Sequence, residues 1–508
     1  MKTELKTSRK IIIAVLSALL FLIFYQGVYC APLRAGVSKA NITKDRPTDL
    51  VNDPLYAKVL VLDDGTDKAV IITMDIGNIT LPALAEIRNG IQKELKINGN
   101  NVMVNASHNH WVNDQLAEDY VARTVRAVKE AVQKMVPVRV GGGAGTEKRI
   151  SMNRRLMLTN GKEWTIRRAT PEPQDEMVKG IAEPFDPEIG ILRIDKTDGT
   201  PMAVLYTFAD HNYTGVPSRA ATAGFPGFAS KVIEENLGNG AIALYMQGAA
   251  GDVTPIVYKD VNAPKQDEIH GTLLGLSTLQ GWRNTAVKKD AGISIIREEL
   301  SLPARTDIQK HIDDLEAQKV VILDYFKGEG CGAHGAGTKL NFKAFLPLYI
   351  KYMMSPEYPS DYSYRYMQEE KIGVNDMKMM DADNKRDMEK YMNCIYMMEE
   401  LLVTEANLGY LKNSQPENPV KAEMMALKVG DFILVTFSGE VFSQIGLNIK
   451  KASPYEYTFV SGYTNGSVGY SPTPDAYAGD AYEVSLAKLA PEWIKIFEEK
   501  ALEMVKKL

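Results

Sequence analysis

This chain of 508 residues has only six histidines, so where they fall is informative. Three of them, His108, His110 and His211, lie just beyond the ends of apolar, β-branched runs. His108 and His110 stand in Asn105-Ala-Ser-His-Asn-His, directly after Val102–Val104. Residues two apart in an extended segment point to the same side, so both imidazoles can face one cavity. Such a pair is a common metal-binding arrangement, but two ligands do not define a site, and alone it reads equally well as a structural pair. His211 follows Met202–Phe208 in the turn Ala-Asp-His-Asn-Tyr, and Glu440 ends Ile433-Leu-Val-Thr-Phe-Ser-Gly-Glu. Strand ends on one edge of a sheet are where α/β folds gather their sites, and the repeated placement points to a metal centre.

Other hydrolytic chemistries have no visible support. There is no His-Glu-X-X-His helix motif, no Gly-X-Ser-X-Gly elbow and no phosphate-binding loop. Gly141–Gly143 and Gly145 lack the lysine and serine that such a loop needs, and read as a turn. Asp252, in Gly-Asp-Val-Thr-Pro, reads as an aspartate satisfying the backbone donors of a turn rather than as a reacting group.

The elements that must position these residues are mixed α/β, with central β-sheets flanked by helices. Lys58–Leu62, Ala69–Thr73, Val102–Asn105, Ile189–Ile194, Met202–Phe208, Ala241–Tyr245, Phe432–Phe437 and Tyr457–Val460 have the composition of strands. Helical periods run through Leu81–Leu95, Gln115–Lys134 and Phe225–Asn236, and a last helix from Glu483 is kinked or divided by Pro491. Residues 307–413 are helical in composition and hold ten of the 22 methionines, so they are expected as an insertion in one catalytic domain spanning 31–508. The methionines read as ordinary helix core, or as an adaptable apolar lid over a long-chain substrate.

Residues 1–30 have the form of an export signal. A basic stretch, Met1–Lys10, precedes an apolar run, Ile11–Phe24, that is too short to span a bilayer. Val28 and Cys30 suit cleavage before Ala31, and a lipidated Cys30 is the rival reading. The protein is therefore expected to be secreted or periplasmic. A net charge of −5 argues against nucleic acid as a partner. The partners expected are a small-molecule or lipid amide substrate and a peripheral contact with a membrane surface, with no obligate protein partner evident. Cys331 and Cys394 can form one disulfide if they meet in space. Five Asn-X-Ser/Thr sequons begin at Asn41, Asn78, Asn105, Asn212 and Asn465, two of them beside the candidate ligands, where a glycan would block access.

Taken in order, several segments resemble the neutral ceramidase family. They are Leu33-Arg-Ala-Gly-Val-Ser-Lys-Ala-Asn-Ile-Thr, Ala106-Ser-His-Asn-His, Asn153-Arg154, Asp186-Pro-Glu-Ile-Gly-Ile-Leu-Arg and Phe208-Ala-Asp-His. Gln247-Gly-Ala-Ala-Gly-Asp-Val-Thr-Pro, Ser438-Gly-Glu, and Asn465 with Tyr470, Tyr477 and Tyr482 continue the series. The resemblance implies a Zn2+ cofactor held by His108, His211, Glu440 and Tyr470. It implies that His110, Arg154 and Tyr482 surround the scissile amide, and that zinc-activated water attacks its carbonyl. Arg154 and Tyr482 would then stabilise the oxyanion while His110 passes a proton to the leaving amine.

Three features depart from the family pattern. Trp111-Val-Asn-Asp replaces a small glycine-rich loop, Gly224 stands where an acidic residue is expected, and only 26 residues follow Tyr482, too few for the family's C-terminal β-sandwich. The expected activity is cleavage of N-acyl sphingosine or a related N-acyl lipid. The alternatives are zinc hydrolysis of a non-lipid amide or ester, and an inactive secreted binding protein.

Overall fold

The computed structural model describes residues 32–166, 177–182, 184–256, 266–289, 291–327, 342–356, 363–413, 416–479 and 482–508. Residues 1–30, where an export signal is expected, the glycine-rich patch Gly328–Gly337 and Cys331 lie outside them. Five strands come first: β1 (Arg34–Asn41), β2 (Tyr56–Asp63), β3 (Lys68–Met74), β4 (Val102–Ala106) and β5 (Val136–Thr146). Four short ones follow, β6 (Ser151–Asn153), β7 (Arg155–Leu158), β8 (Glu163–Thr165) and β9 (Val178–Ile181). Next are β10 (Glu188–Lys196), β11 (Pro201–Phe208), β12 (Ile242–Gln247) and β13 (Val253–Pro255). The last are β14 (Ile293–Leu302), β15 (Val420–Val429), β16 (Phe432–Phe437), β17 (Glu440–Val441), β18 (Tyr457–Ser461) and β19 (Tyr470–Ser471).

A sheet in the order β12-β11-β10-β5-β1-β2-β3-β4 faces a second in the order β14-β15-β16-β18. Side-chain alternation along each strand builds the layers. In β2, Leu60 and Leu62 enter the core shared by the two sheets, together with Ile71, Met103, Leu205, Leu427, Phe432 and Leu434. Val59 and Val61 turn the other way, onto Ile87 and Ile91 of the helix Leu81–Leu95 and onto Val128 of the helix Tyr120–Gln133. In the same manner Ile433, Val435 and Phe437 of β16 pack on Trp493 and Phe497 of the closing helix Trp493–Lys507. The result is four layers: helices, sheet, sheet, helices. The mixed α/β architecture expected from the sequence is the one found. After Tyr482 the described residues hold only short segments and the closing helix, with no β-sandwich among them.

Three parallel pairs matter for function. β3–β4, β11–β12 and β16–β18 are each joined through a helix, namely Leu81–Leu95, Gly224–Leu237 and Ser443–Ala452. β4, β11 and β16 end just before His108, His211 and Glu440.

Two local expectations need correction. Gly141–Gly143 is not a turn but the middle of β5, paired with β10. A Cβ on Gly141 would lie 1.8 Å from the Ala286 carbonyl oxygen, and one on Gly143 1.9 Å from Thr285 Oγ1. The glycines thus let the chain leaving the helix Asp267–Asn284 lie directly on the strand, a requirement that no local pattern announces. The helix expected from Gln115 starts only at Tyr120, because Gln115 and Ala117 make backbone bonds to Lys44 and Ile42. The C-terminal region divides as expected, into Tyr482–Leu486 and Trp493–Lys507.

Gly141→Ala should destabilise the protein by about 2 kcal/mol, the usual cost of overpacking a tight contact, as read from urea unfolding midpoints. A midpoint equal to that of the unmodified chain would show that the helix exit does not need the glycine.

Candidate metal centre

The His-Asn-His loop begins where β4 stops. His108 has a left-handed backbone (φ 52°), so its ring reaches the site through a turn and not through strand alternation. Asn109 holds that turn, its Nδ2 donating to the Thr222 carbonyl at 2.7 Å and its backbone N–H to Ile76 at 3.0 Å. The His110 N–H donates to the Asn212 carbonyl at 3.0 Å, tying this loop to the one that carries His211. Gly224, where an acidic residue was expected, has φ +70° and permits the same approach, since a Cβ there would lie 1.9 Å from Asn212 Oδ1. Trp111 donates from Nε1 to the Tyr213 carbonyl at 2.7 Å and lies against Gly215, so it forms a wall over residues 213–215.

Among the described residues, His108, His110 and His211 form a group with one ring nitrogen each, all within 4.8 Å of one another. His108 Nε2 is 3.1 Å from His110 Nε2. Glu440 Oε2 is 3.8 Å from His108 Nε2 and 3.7 Å from His211 Nε2. Tetrahedral zinc with bonds of about 2.0–2.1 Å holds neighbouring ligand atoms about 3.4 Å apart, so these separations lie on either side of the required value. Tyr470 comes alongside through pairing in register, since β17 and β19 run parallel with Glu440 opposite Tyr470.

Burial governs the electrostatics. His211 is 2% exposed and His108 12%. Desolvation pushes both imidazoles well below their usual pKa; the Glu440 charge opposes this at His108, and Arg154 reinforces it at His211. Both rings are therefore neutral at pH 7, as metal ligands must be. Tyr470 behaves oppositely: desolvation and the Glu440 charge hold its phenol well above 10, with Arg154 opposing. Glu440 Oε2 is buried with no hydrogen-bond partner. A buried carboxylate oxygen facing neutral rings is costly unless a cation meets it, so the donor set fits a divalent metal.

Arg154 is fixed on three sides. Its Nε donates to Glu483 Oε1 at 2.7 Å, and its Nη2 to the Gly251 carbonyl at 2.8 Å and to Tyr470 Oη at 3.0 Å. Nη1 is turned toward the histidines, 3.5 Å from His211 Nε2. Tyr482 packs edge-on against Tyr470, with ring centroids 5.8 Å apart. Asp252 has the loop-holding place read from the sequence, accepting from the Ser443 N–H at 2.8 Å and from Asn153 Nδ2 at 2.7 Å. Tyr477 lies apart from the cluster and donates to the Leu489 carbonyl.

Two residues escaped sequence reasoning. Tyr463 stacks on His108 with centroids 3.9 Å apart, its hydroxyl 2.9 Å from His108 Nε2. Glu483 is fully buried, accepting from Arg154 and from Thr165. Tyr463 stands two residues past β18, the same strand-end signal that marked the histidines. Glu483 carries no such mark.

No protein-family model matches the sequence, and no curated protein matches it. Solved structures do: this layered sheet pair, with its site at the parallel strand ends, is a neutral-ceramidase-like fold. The neutral ceramidase of Pseudomonas aeruginosa superposes with a TM-score of 0.58 at 16% identity, over 94% of this chain and 75% of that one. A ceramidase structure described as complexed with C2 superposes with a TM-score of 0.58 at 15% identity, over the same shares of both chains.

The two candidate ligand sets, three histidines or His108 and His211 with Glu440 and Tyr470, differ in a measurable way. We expect one zinc per chain by elemental analysis, lost in His108→Ala, His211→Ala and Glu440→Ala but kept in His110→Ala. Because Tyr470 is held protonated, zinc binding at pH 7 should release its proton, detected by calorimetry in buffers of different ionisation enthalpy, and Tyr470→Phe should lower the release by about one proton. Loss of zinc in His110→Ala would favour the three-histidine set.

Proposed function

We propose that this protein is an exported, zinc-dependent amide hydrolase acting on N-acyl sphingosine or a related N-acyl lipid. The observation that carries this reading is the convergence of three histidines and a buried carboxylate oxygen without a hydrogen-bond partner at the ends of parallel strands from two sheets, with a clamped arginine between β6 and β7 beside them. The ceramidase-like fold supports the substrate class, since the structural neighbours are ceramidases.

His108, His211, Glu440 and Tyr470 would hold the metal, with Tyr463 closing one side of the His108 ring. Zinc in such a site acts as a Lewis acid and brings the pKa of a water molecule to about 7. His110 is the exposed member of the histidine group, and desolvation leaves its pKa below the ordinary value. As a neutral base it takes a proton from the attacking water, then returns it to the departing amine nitrogen. Arg154 is already held at Nε and Nη2, so Nη1, which faces His211 Nε2 at 3.5 Å, is aimed to meet the developing oxyanion with little reorganisation. Tyr482 borders the same space beside Tyr470. Glu483 acts through Arg154 as a positioning residue. Hydrolysis of a non-lipid amide or ester is the second reading, favoured by the wall that Trp111 builds over residues 213–215.

A panel of N-acyl sphingoid bases, N-acyl amino acids and simple esters tests the proposal, with fatty acid release expected from the first. Release only from water-soluble amides or esters would overturn the lipid assignment, and no turnover by zinc-loaded protein would overturn the hydrolase. Because desolvation holds the His110 imidazole below its ordinary pKa, kcat/KM should carry a limb that rises with pH below 6.5, and His110→Ala should remove that limb. Glu483→Gln should lower kcat roughly 10- to 100-fold with KM little changed and zinc retained, since only the oxyanion donor loses its aim.

A further inference from the structure

Between the paired strands β14 and β15 the chain leaves the sheet for a set of helices: Ile308–Lys327, Phe342–Met354, Ser363–Ile372 and Asp376–Asn413. One of them is apolar on both faces. In Phe342–Met354 the inner face is well packed: Phe345 stacks on Tyr391 with centroids 4.6 Å apart, and Tyr352 donates to Asp381 at 2.7 Å. The outer face should be polar if water covers it. Instead Leu346, Tyr349, Ile350 and Met353 form a stripe at helical spacing, 42%, 37%, 47% and 67% exposed, and Met354 beside it is 80% exposed. Scattered exposed apolar residues need no explanation, but a continuous stripe marks an interaction surface.

Charge narrows what covers it. The chain as a whole carries −5, yet this helix has two lysines and no carboxylate. Lys343 lies one turn before Leu346 on the same side and is exposed. An apolar stripe edged by a lysine that can extend its amine to phosphate is the pattern of a helix lying in a bilayer interface. It is too short to cross one, and no described helix is long and apolar enough to do so. The insertion also reaches the catalytic centre, since its long helix Asp376–Asn413 packs against Tyr482–Leu486, which carries Tyr482 and Glu483.

We propose that the outer face of Phe342–Met354 docks on a phospholipid bilayer surface, favouring anionic headgroups, and brings the metal centre to a substrate that resides in the membrane. The purpose rests on the lipid-amide reading above, whereas the docking is measured without turnover.

The test is co-sedimentation of the full chain with phosphatidylcholine vesicles, with and without phosphatidylglycerol, comparing the native protein with the double variant Ile350→Glu, Met353→Glu. Both positions are exposed, so the variant should keep the native circular dichroism and its hydrolysis of a water-soluble short-chain amide. The native protein should bind, more tightly when phosphatidylglycerol is present, and the variant's partition coefficient should fall roughly tenfold or more. No binding by the native chain, or equal binding by both, would overturn the proposal. So would a native dimer in velocity sedimentation without vesicles that the variant dissolves, since a second copy would then cover the stripe. Vesicle binding without cleavage of any N-acyl lipid would leave the docking standing and remove the hydrolase reading.

Discussion

The arrangement of the site depends on one buried amide. Asn105 is wholly inaccessible, at the end of β4 on the face turned toward the second sheet. Its Oδ1 accepts the Gln247 N–H at 3.0 Å, and its Nδ2 lies 2.8 Å from the Gly462 carbonyl, 3.0 Å from Thr464 Oγ1 and 3.1 Å from Ser461 Oγ. One side chain thus joins β4, β12 and the segment after β18. Two bonds in register extend the seam, Asn465 N–H to the Val104 carbonyl at 2.8 Å and Ala106 N–H to the Tyr463 carbonyl at 3.1 Å. Buried polar groups satisfied on every side specify one arrangement, because any slip leaves several unpaired at once. The seam sets the histidine loop of one sheet against the glutamate and tyrosine loops of the other. It also settles the sequons at Asn105 and Asn465, whose side chains are enclosed and cannot carry a glycan.

Around that seam the chemistry follows from desolvation. Burial alone leaves imidazoles neutral and phenols protonated, which prepares two candidate ligands and holds back a third. The counterweight is the cation Arg154, itself buried against Glu483 and the Tyr470 hydroxyl. A buried ion pair is rarely a gain in stability, and breaking one partner leaves an uncompensated charge. Its value here is directional, since two of the three guanidinium nitrogens are occupied and the third is aimed at the histidines.

The helical insertion contrasts with this dense centre. Its methionines admitted two sequence readings, core and lid, and the core reading fails, since none of the ten is buried. Buried contacts among the insertion helices come mainly from Ile308, Ile312, Leu408, Leu411 and Phe345. Several methionines stand outside, Met353, Met354, Met379 and Met398 among them. Cys394 is buried in a disulfide, while Cys331 lies outside the described residues.

Local sequence determined the mixed α/β class and most of the strands and helices, because alternation and helical period are written in consecutive residues. It also determined which residue types stand at strand ends, where His108, His211 and Glu440 drew attention. Tertiary structure alone decided what stands beside them. The Gly141–Gly143 run became a strand because it pairs with β10, its glycines admitting the helix exit at Thr285 and Ala286, and Gln115–Ala117 left the helix to pair with Lys44 and Ile42. Tyr463 reached His108 and Glu483 reached Arg154 across 355 and 329 residues of chain. Such contacts depend on the pairing of two sheets and the seam that locks them, and no window of sequence contains both partners.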